Sequence, residues 1–222
     1  MSLVQIGSGS ANFQDGFTNF VKTKNKKDKI LIVEANSIHL KNLRKFWKSK
    51  KNIKIFNLAI IPDNISQKKM TFYYFEKDKP NYQIFSNSKS FVKKHFPQGK
   101  IKKKIVNCLN ISNFLKKNKM KRIDYLSLDV EGMDYEILLN LDFNDFYIKN
   151  ISFEHLHLSV WQKFKIIFKF IKNDYYFSGM GFDIRKSDWM FTKGYKFKKI
   201  ITSFLPITPR RIWKKYLFSK YI

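Results

Sequence analysis

The sequence predicts an α/β fold built on a mostly parallel, doubly wound sheet, and three observations carry that prediction. Short apolar runs at 3–6, 29–33, 125–130 and 148–153 are separated by segments whose apolar residues recur at helical spacing. The first run passes directly into a glycine turn, Gly7-Ser-Gly9, and then into a helical pattern. The second and a later run each end in an acid, Glu34 and Asp129. Open α/β sheets place their sites at the carboxyl ends of their strands, so acids and glycines collected there point to a binding crevice.

The 222 residues suit one sizeable core, and 44% hydrophobic with 17% aromatic content argues against disorder. The formal charge of +27 invites an anionic partner: nucleic acid, membrane surface or acidic glycan. Lysine supplies nearly all of it, alongside abundant Asn, Ile, Phe and Tyr, residues that share AT-rich codons. A dedicated nucleic-acid reader would be expected to use arginine, so compositional bias is the favoured source of the charge and nucleic acid is not the expected partner. The single cysteine, Cys108, excludes an internal disulfide and fits a reducing cytosol. Cys/His clusters of structural zinc type are absent. The start of the sequence has no apolar leader, and no run of about 18 apolar residues occurs. The expected location is cytoplasmic, peripheral at the inner membrane surface if the basic tail engages lipid.

Taken in order, Leu3–Ile6 reads as a strand, with a glycine turn and a helix through Phe13, Phe17, Phe20 and Val21 after it. Glycines let backbone approach a ligand closely, and a helix start offers free N–H groups. Asn12 stands where a dinucleotide fingerprint has its third glycine, which disfavours NAD and FAD. Lys29–Val33 is a second strand ending in Glu34, 25 residues after Gly9, the place where a carboxylate accepts both hydroxyls of a ribose. The competing reading is an exposed strand-end charge. Asn36 or Ser37 then caps a helix through Leu40, Leu43 and Phe46-Trp47. Ile53–Ile61 reads as one third strand closed by Pro62-Asp63-Asn64, with Asp63 either a turn residue or a contact to the adenine end of a nucleotide cofactor.

Met70–Phe75 and Gln83–Phe85 suggest an antiparallel excursion, and 86–99 a loop or short helix over the site. Ile101–Leu109 alternates Lys with apolar residues as a strand, and Ser112 opens a short helix. The central stretch, Ile123-Asp-Tyr-Leu-Ser-Leu-Asp-Val-Glu-Gly132, delivers Asp129 and Glu131 to a glycine turn before a helix carrying Met133, Ile137 and Leu138. Helix capping accounts for one acid there and leaves the second for chemistry. Ile148–Phe153 is a strand ending in Glu154-His-Leu-His157, whose two histidines, two apart, face the same side of the strand. Trp161–Ile171 is a helix with a Lys-rich outer face, and Gly181–Arg185 with Asp188–Thr192 reads as a closing hairpin. Residues 1–195 form the expected domain. Residues 196–222 form a basic, aromatic tail suited either to an anionic membrane surface or to docking with a solvated face.

Val4-Gln-Ile-Gly-Ser-Gly9, Val33-Glu-Ala-Asn36, the Ile123–Gly132 stretch and Phe153-Glu-His155 together resemble the FkbM family of S-adenosylmethionine-dependent methyltransferases. The resemblance implies a class I methyltransferase (Rossmann-like) three-layer sandwich, with a mostly parallel seven-stranded sheet and an antiparallel C-terminal hairpin. It also implies O-methyl transfer to a hydroxyl of a sugar, glycan or small metabolite. Carried over by position, Gly7, Ser8, Gly9, Glu34 and Ala35 would bind the cofactor, joined by Asp63 at its adenine side. Asp129 would be the first choice of base, His157 or His155 the reserve, and Glu131 a substrate-orienting acid. Gln5 departs from the acid that many such enzymes carry in the first strand. An RNA methyltransferase and a non-catalytic binding domain on the same fold are the alternatives. No metal site is assigned, although a divalent cation on Asp129, Glu131 and a histidine would be another way to acidify a hydroxyl.

Overall fold

The computed structural model of the chain describes residues 1–11, 16–25, 27–78, 84–130, 132–181 and 188–194. Within them the elements run β1 (Ser2–Ile6), α1 (Gly16–Lys22), β2 (Lys29–Val33), α2 (Leu40–Phe46), β3 (Ile53–Phe56), β4 (Ala59–Ile61), β5 (Lys69–Phe75), β6 (Phe85–Ser86) and α3 (Lys89–His95). The second half follows as β7 (Ile101–Asn110), α4 (Ile111–Lys117), β8 (Arg122–Leu128), α5 (Asp134–Asn140), β9 (Tyr147–Glu154), α6 (Val160–Lys172), β10 (Tyr175–Met180) and β11 (Asp188–Lys193).

A seven-stranded sheet has the order β10-β11-β9-β8-β1-β2-β3. β3, β2, β1, β8 and β9 pair in parallel, and β11 alone inserts antiparallel between β9 and β10. The chain therefore winds outward from β1 to β3, returns to β8 on the other side of β1, and winds outward again. That reversal beside β1 is the topological switch point at which open α/β sheets bind ligands. Strand order, the single antiparallel strand and helices on both faces are those of the class I methyltransferase fold.

The period of two in the strands explains the layers. Val4, Ile6, Leu31 and Val33 point to the face covered by Phe114 and Leu115 of α4, Ile137 and Leu138 of α5, and Ile166, Ile167 and Phe170 of α6. Leu3, Ile30 and Ile32 point the opposite way, against Phe17 and Val21 of α1 and Leu43 and Trp47 of the α2 segment. Strands buried on both faces are why the sequence shows continuous apolar runs instead of alternation.

Two expected elements differ. The single third strand over 53–61 is two strands in two sheets: β3 joins β2, while β4 leaves to pair with β7 in a four-stranded sheet of order β4-β7-β5-β6. The break falls at Asn57-Leu58, where the Asn57 side chain donates to the carbonyls of Glu34 (2.9 Å) and Ala35 (3.1 Å). An apolar run cannot reveal that its two halves serve different sheets. The terminal hairpin also begins earlier than expected, because Tyr175 and Phe177 of β10 are its buried residues, facing Lys193 and Phe191 of β11. The expected first arm lies outside the described residues from 182 onward, as does the whole 196–222 tail. Among the described residues no helix is long and apolar enough to cross a membrane.

Candidate active site

Strand register alone assembles a row of functional residues. Ile6 pairs with both Val33 and Leu128, Val33 pairs with Phe56, and Leu128 pairs with Phe153. The residues that follow these pairs, Asn57, Glu34, Gly7, Asp129 and Glu154, therefore stand side by side along the carboxyl edge of the sheet. Glu34 and Asp129 are two strand spacings apart, about 10 Å, with the glycine between them.

Gly7 is required by close backbone approach. Its φ is +82°, and a Cβ there would lie 1.7 Å from the backbone carbonyl oxygen of Asp129. The same turn is tied to both neighbours, since Gly7 N–H donates to Val33 O (2.9 Å) and Asp129 N–H donates to Ile6 O (2.9 Å). The following turn has positive φ at Gly9 (57°) and Ala11 (55°). Ser8 and Ser10 are buried within it, and the Ser10 hydroxyl has no hydrogen-bond partner among the described residues. A buried hydroxyl left unpaired calls for an explanation, and its place in the glycine turn makes Ser10 a candidate ligand contact.

Glu34 is only 6% exposed, yet its carboxylate is held by two backbone donors: Gly9 N–H to Oε2 (2.7 Å) and Asn36 N–H to Oε1 (2.7 Å). These short bonds to an acid lock the glycine turn to the end of β2. The exposed-charge reading of Glu34 is thereby replaced by a buried acid oriented from both sides. Ala35 follows it half-buried, its carbonyl bound by Asn57. Nothing in the sequence singled out Asn57; its signal is its position at the true end of the third strand.

Asp63 belongs elsewhere. It follows β4, in the second sheet, and its oxygens accept the backbone N–H of Ser112 (3.0 Å) and the Ser112 hydroxyl. It thus caps the start of α4, a role that uses the carboxylate without a cofactor. The expectation of an adenine contact rested on a single strand through residue 61, and the strand break removes that basis.

At the other end of the row, Asp129 is exposed just beyond β8. Asp134, buried at the start of α5, accepts the Val130 N–H at 3.3 Å and so ties the turn after β8 to the helix start. Glu131 lies outside the described residues. Gly132 has φ +103°, and a Cβ there would stand 4.0 Å from the Ser86 hydroxyl, which sets the end of β6 near the turn after β8.

The two histidines separate because β9 ends at Glu154. His155 stacks on Trp189 (centroids 4.5 Å apart, 14° between planes). His157 reaches the opposite way, with Nε2 3.3 Å from Glu154 Oε2 and its ring edge-on to Phe91 at 4.8 Å, beside His95 at 6.1 Å. Burial, together with the nearby His95 and Lys94, lowers the His157 pKa below the ordinary histidine value. Phe91 and His95 come from α3, which Ser88 caps by accepting the Phe91 N–H. Of the loop or short helix expected over the site between β6 and β7, the structure shows the helix, α3, and sets it beside His157. Among the described residues no group of three His, Cys, Asp or Glu side chains is arranged to hold a metal ion.

The sequence profile of the methyltransferase FkbM domain matches residues 6–184. The chain belongs to the FkbM methyltransferase family. The match begins at the end of β1 and covers every residue of the strand-end row. Among solved structures, this FkbM-family chain is similar to methyltransferase FkbM from Methylobacillus flagellatus KT, at 10% identity and a TM-score of 0.46, over 86% of this chain and 44% of that one. It is also similar to a proposed methyltransferase from Thermoplasma acidophilum, at 9% identity and a TM-score of 0.35, over 87% of this chain and 68% of that one. The chain therefore spans less than half the length of the Methylobacillus protein. No curated protein matches it.

Proposed function

We propose that this methyltransferase uses S-adenosylmethionine and transfers the methyl group to a hydroxyl oxygen of a sugar, glycan or small metabolite. The observation that carries the reading is the Glu34 carboxylate, buried and fixed by Gly9 and Asn36 beside the glycine turn. A carboxylate so oriented at the end of the second strand suits a ribose diol. The turn of Gly7, Ser8 and Gly9, with the orphan Ser10 hydroxyl behind it, suits the amino-acid end of the same cofactor. When bound, S-adenosylmethionine supplies an electrophilic methyl group on a sulfonium.

This chain's own residues would supply positioning and a proton acceptor. A hydroxyl is a weak nucleophile until its proton leaves, so a base within hydrogen-bond reach is needed. Asp129 is the first candidate, being exposed in the row next to the glycine turn. His157 is the second, because its lowered pKa keeps the imidazole neutral and able to accept a proton at neutral pH. Holding the acceptor oxygen in line would provide much of the rate. Lysine-dominated charge with few arginines favours a glycan or metabolite over RNA as acceptor.

The test is calorimetric titration of the native chain and of Glu34→Gln with S-adenosylmethionine. Glutamine keeps the volume but turns an amide N–H toward a backbone N–H, so the turn loses one of its two acceptors. Binding in the micromolar range, about −8 kcal/mol, weakened at least about tenfold in the variant, is the expected outcome. Absence of both heat and thermal shift in the folded native protein would overturn the proposal.

A further inference from the structure

α6 is apolar on two opposite faces. Ile166, Ile167 and Phe170 are buried in the core. At 100° per residue, Trp161 and Phe168 stand two turns apart on the side facing away from that core. Trp161 is 78% exposed and Phe168 61%, and Leu156 and Val160, each 60% exposed, extend the patch at the N-terminal end of the helix. A surface helix ordinarily turns polar residues outward; large apolar side chains gathered there mark a contact surface.

The charges around the patch define what it would meet. α6 contains four lysines and no acid. Lys169 donates to the carbonyls of Leu139 and Leu141, and Lys163 lies over the Trp189 ring at 5.6 Å, so both are committed to the body of the protein. Lys165 and Lys172 remain exposed, on the same outward side as Trp161 and Phe168. Indole and phenyl rings at headgroup depth, flanked by flexible ammonium groups, match an anionic lipid interface. The helix carries no arginine, the residue a phosphate-reading nucleic-acid surface would favour. The net charge of +27 supplies long-range attraction to the same target.

We infer that the outward face of α6 docks this protein on an anionic bilayer. Because α6 starts soon after the carboxyl end of β9, the Leu156–Val160 end of the patch adjoins the rim carrying Glu154 and His157. Docking would hold the strand-end site at the lipid surface, whatever acceptor that site takes.

The test is co-sedimentation of the full chain with vesicles of phosphatidylcholine alone, or containing about a quarter phosphatidylglycerol. The variants are Trp161→Ala/Phe168→Ala, Lys165→Glu/Lys172→Glu and, as a charge-matched control on exposed residues near α2, Lys48→Glu/Lys51→Glu. All six side chains are exposed, and circular dichroism checks that each variant is folded. The expected result is binding to the anionic vesicles only, weakened at least about tenfold by the aromatic pair and more by the α6 charge reversal than by the control. Unchanged partitioning of the aromatic variant would overturn the inference and move membrane contact elsewhere, including residues 195–222. So would equal effects of the two charge reversals, or no vesicle binding together with a dimer that the aromatic substitutions abolish.

Discussion

Replacing Gly7 by alanine should be among the most damaging single-methyl changes in this chain, and the structure gives its size. At φ +82° an L-residue costs about 1–2 kcal/mol through its Cβ. The new Cβ would also stand 1.7 Å from the Asp129 carbonyl oxygen and 2.6 Å from its carbon, both backbone atoms with no rotamer to move to. Relief requires the ends of β1 and β8 to part, which strains the Asp129 N–H to Ile6 O bond. Overpacking of this kind costs about 1–3 kcal/mol, and the lost bond about 1 kcal/mol more. Gly9→Ala is the internal control. It also has positive φ, but nothing lies within 4 Å of its Cβ, so it should lose only about 1 kcal/mol. Urea unfolding followed by circular dichroism should place the Gly7→Ala midpoint about 1 M or more below that of Gly9→Ala. Coincident midpoints would refute the close-approach argument, and with it the geometry assigned to the turn.

Three further outcomes follow from the same structure. Asp63→Ala should destabilise the chain by about 1 kcal/mol through the lost cap on α4, while leaving S-adenosylmethionine affinity unchanged in calorimetry; a large affinity loss would return Asp63 to the cofactor site. Asp129→Asn is nearly isosteric, so the chain should stay folded by circular dichroism while methyl transfer to an acceptor falls by about 10²–10⁴; an unaltered rate would pass the role of base to His157. For His157 the folded-state pKa is depressed, so below about 6.5 the unfolded chain binds more protons than the folded one. Its stability contribution is therefore complete above that pH and is lost as the pH falls through the lower folded value. His157→Gln should show a shallower loss of urea midpoint between neutral and mildly acid pH, the remaining slope coming partly from buried His39, whose pKa burial also lowers; identical slopes would contradict the assigned environment.

Much of the candidate site was legible because strand ends are written locally. Gly7, Gly9, Glu34 and Asp129 each follow an apolar run, and parallel pairing then forces them onto one edge. Only the structure showed that Asp134 is buried and bonds back to the Val130 N–H while Asp129 stands exposed. Asp63 was misplaced because an unbroken apolar stretch hid a change of sheet at Asn57. His155 and His157 were grouped on the assumption that β9 continued, whereas the strand stops at Glu154 and the turn sends one ring to Trp189 and the other to α3.

The sequence by itself determined the fold class, the alternation of strands and helices in the parallel part of the sheet, and the residue types available at most strand ends, since hydrophobic period and turn chemistry are local properties. Only the tertiary structure decided that Asp134 is buried while Asp129 is exposed, which sheet Asp63 belongs to, and that α3 sets Phe91 and His95 beside His157. It also showed that Trp161 and Phe168 face away from the core. Those are questions of which surfaces meet, and they are settled by packing between segments far apart in the chain, where the pattern of any one segment is silent.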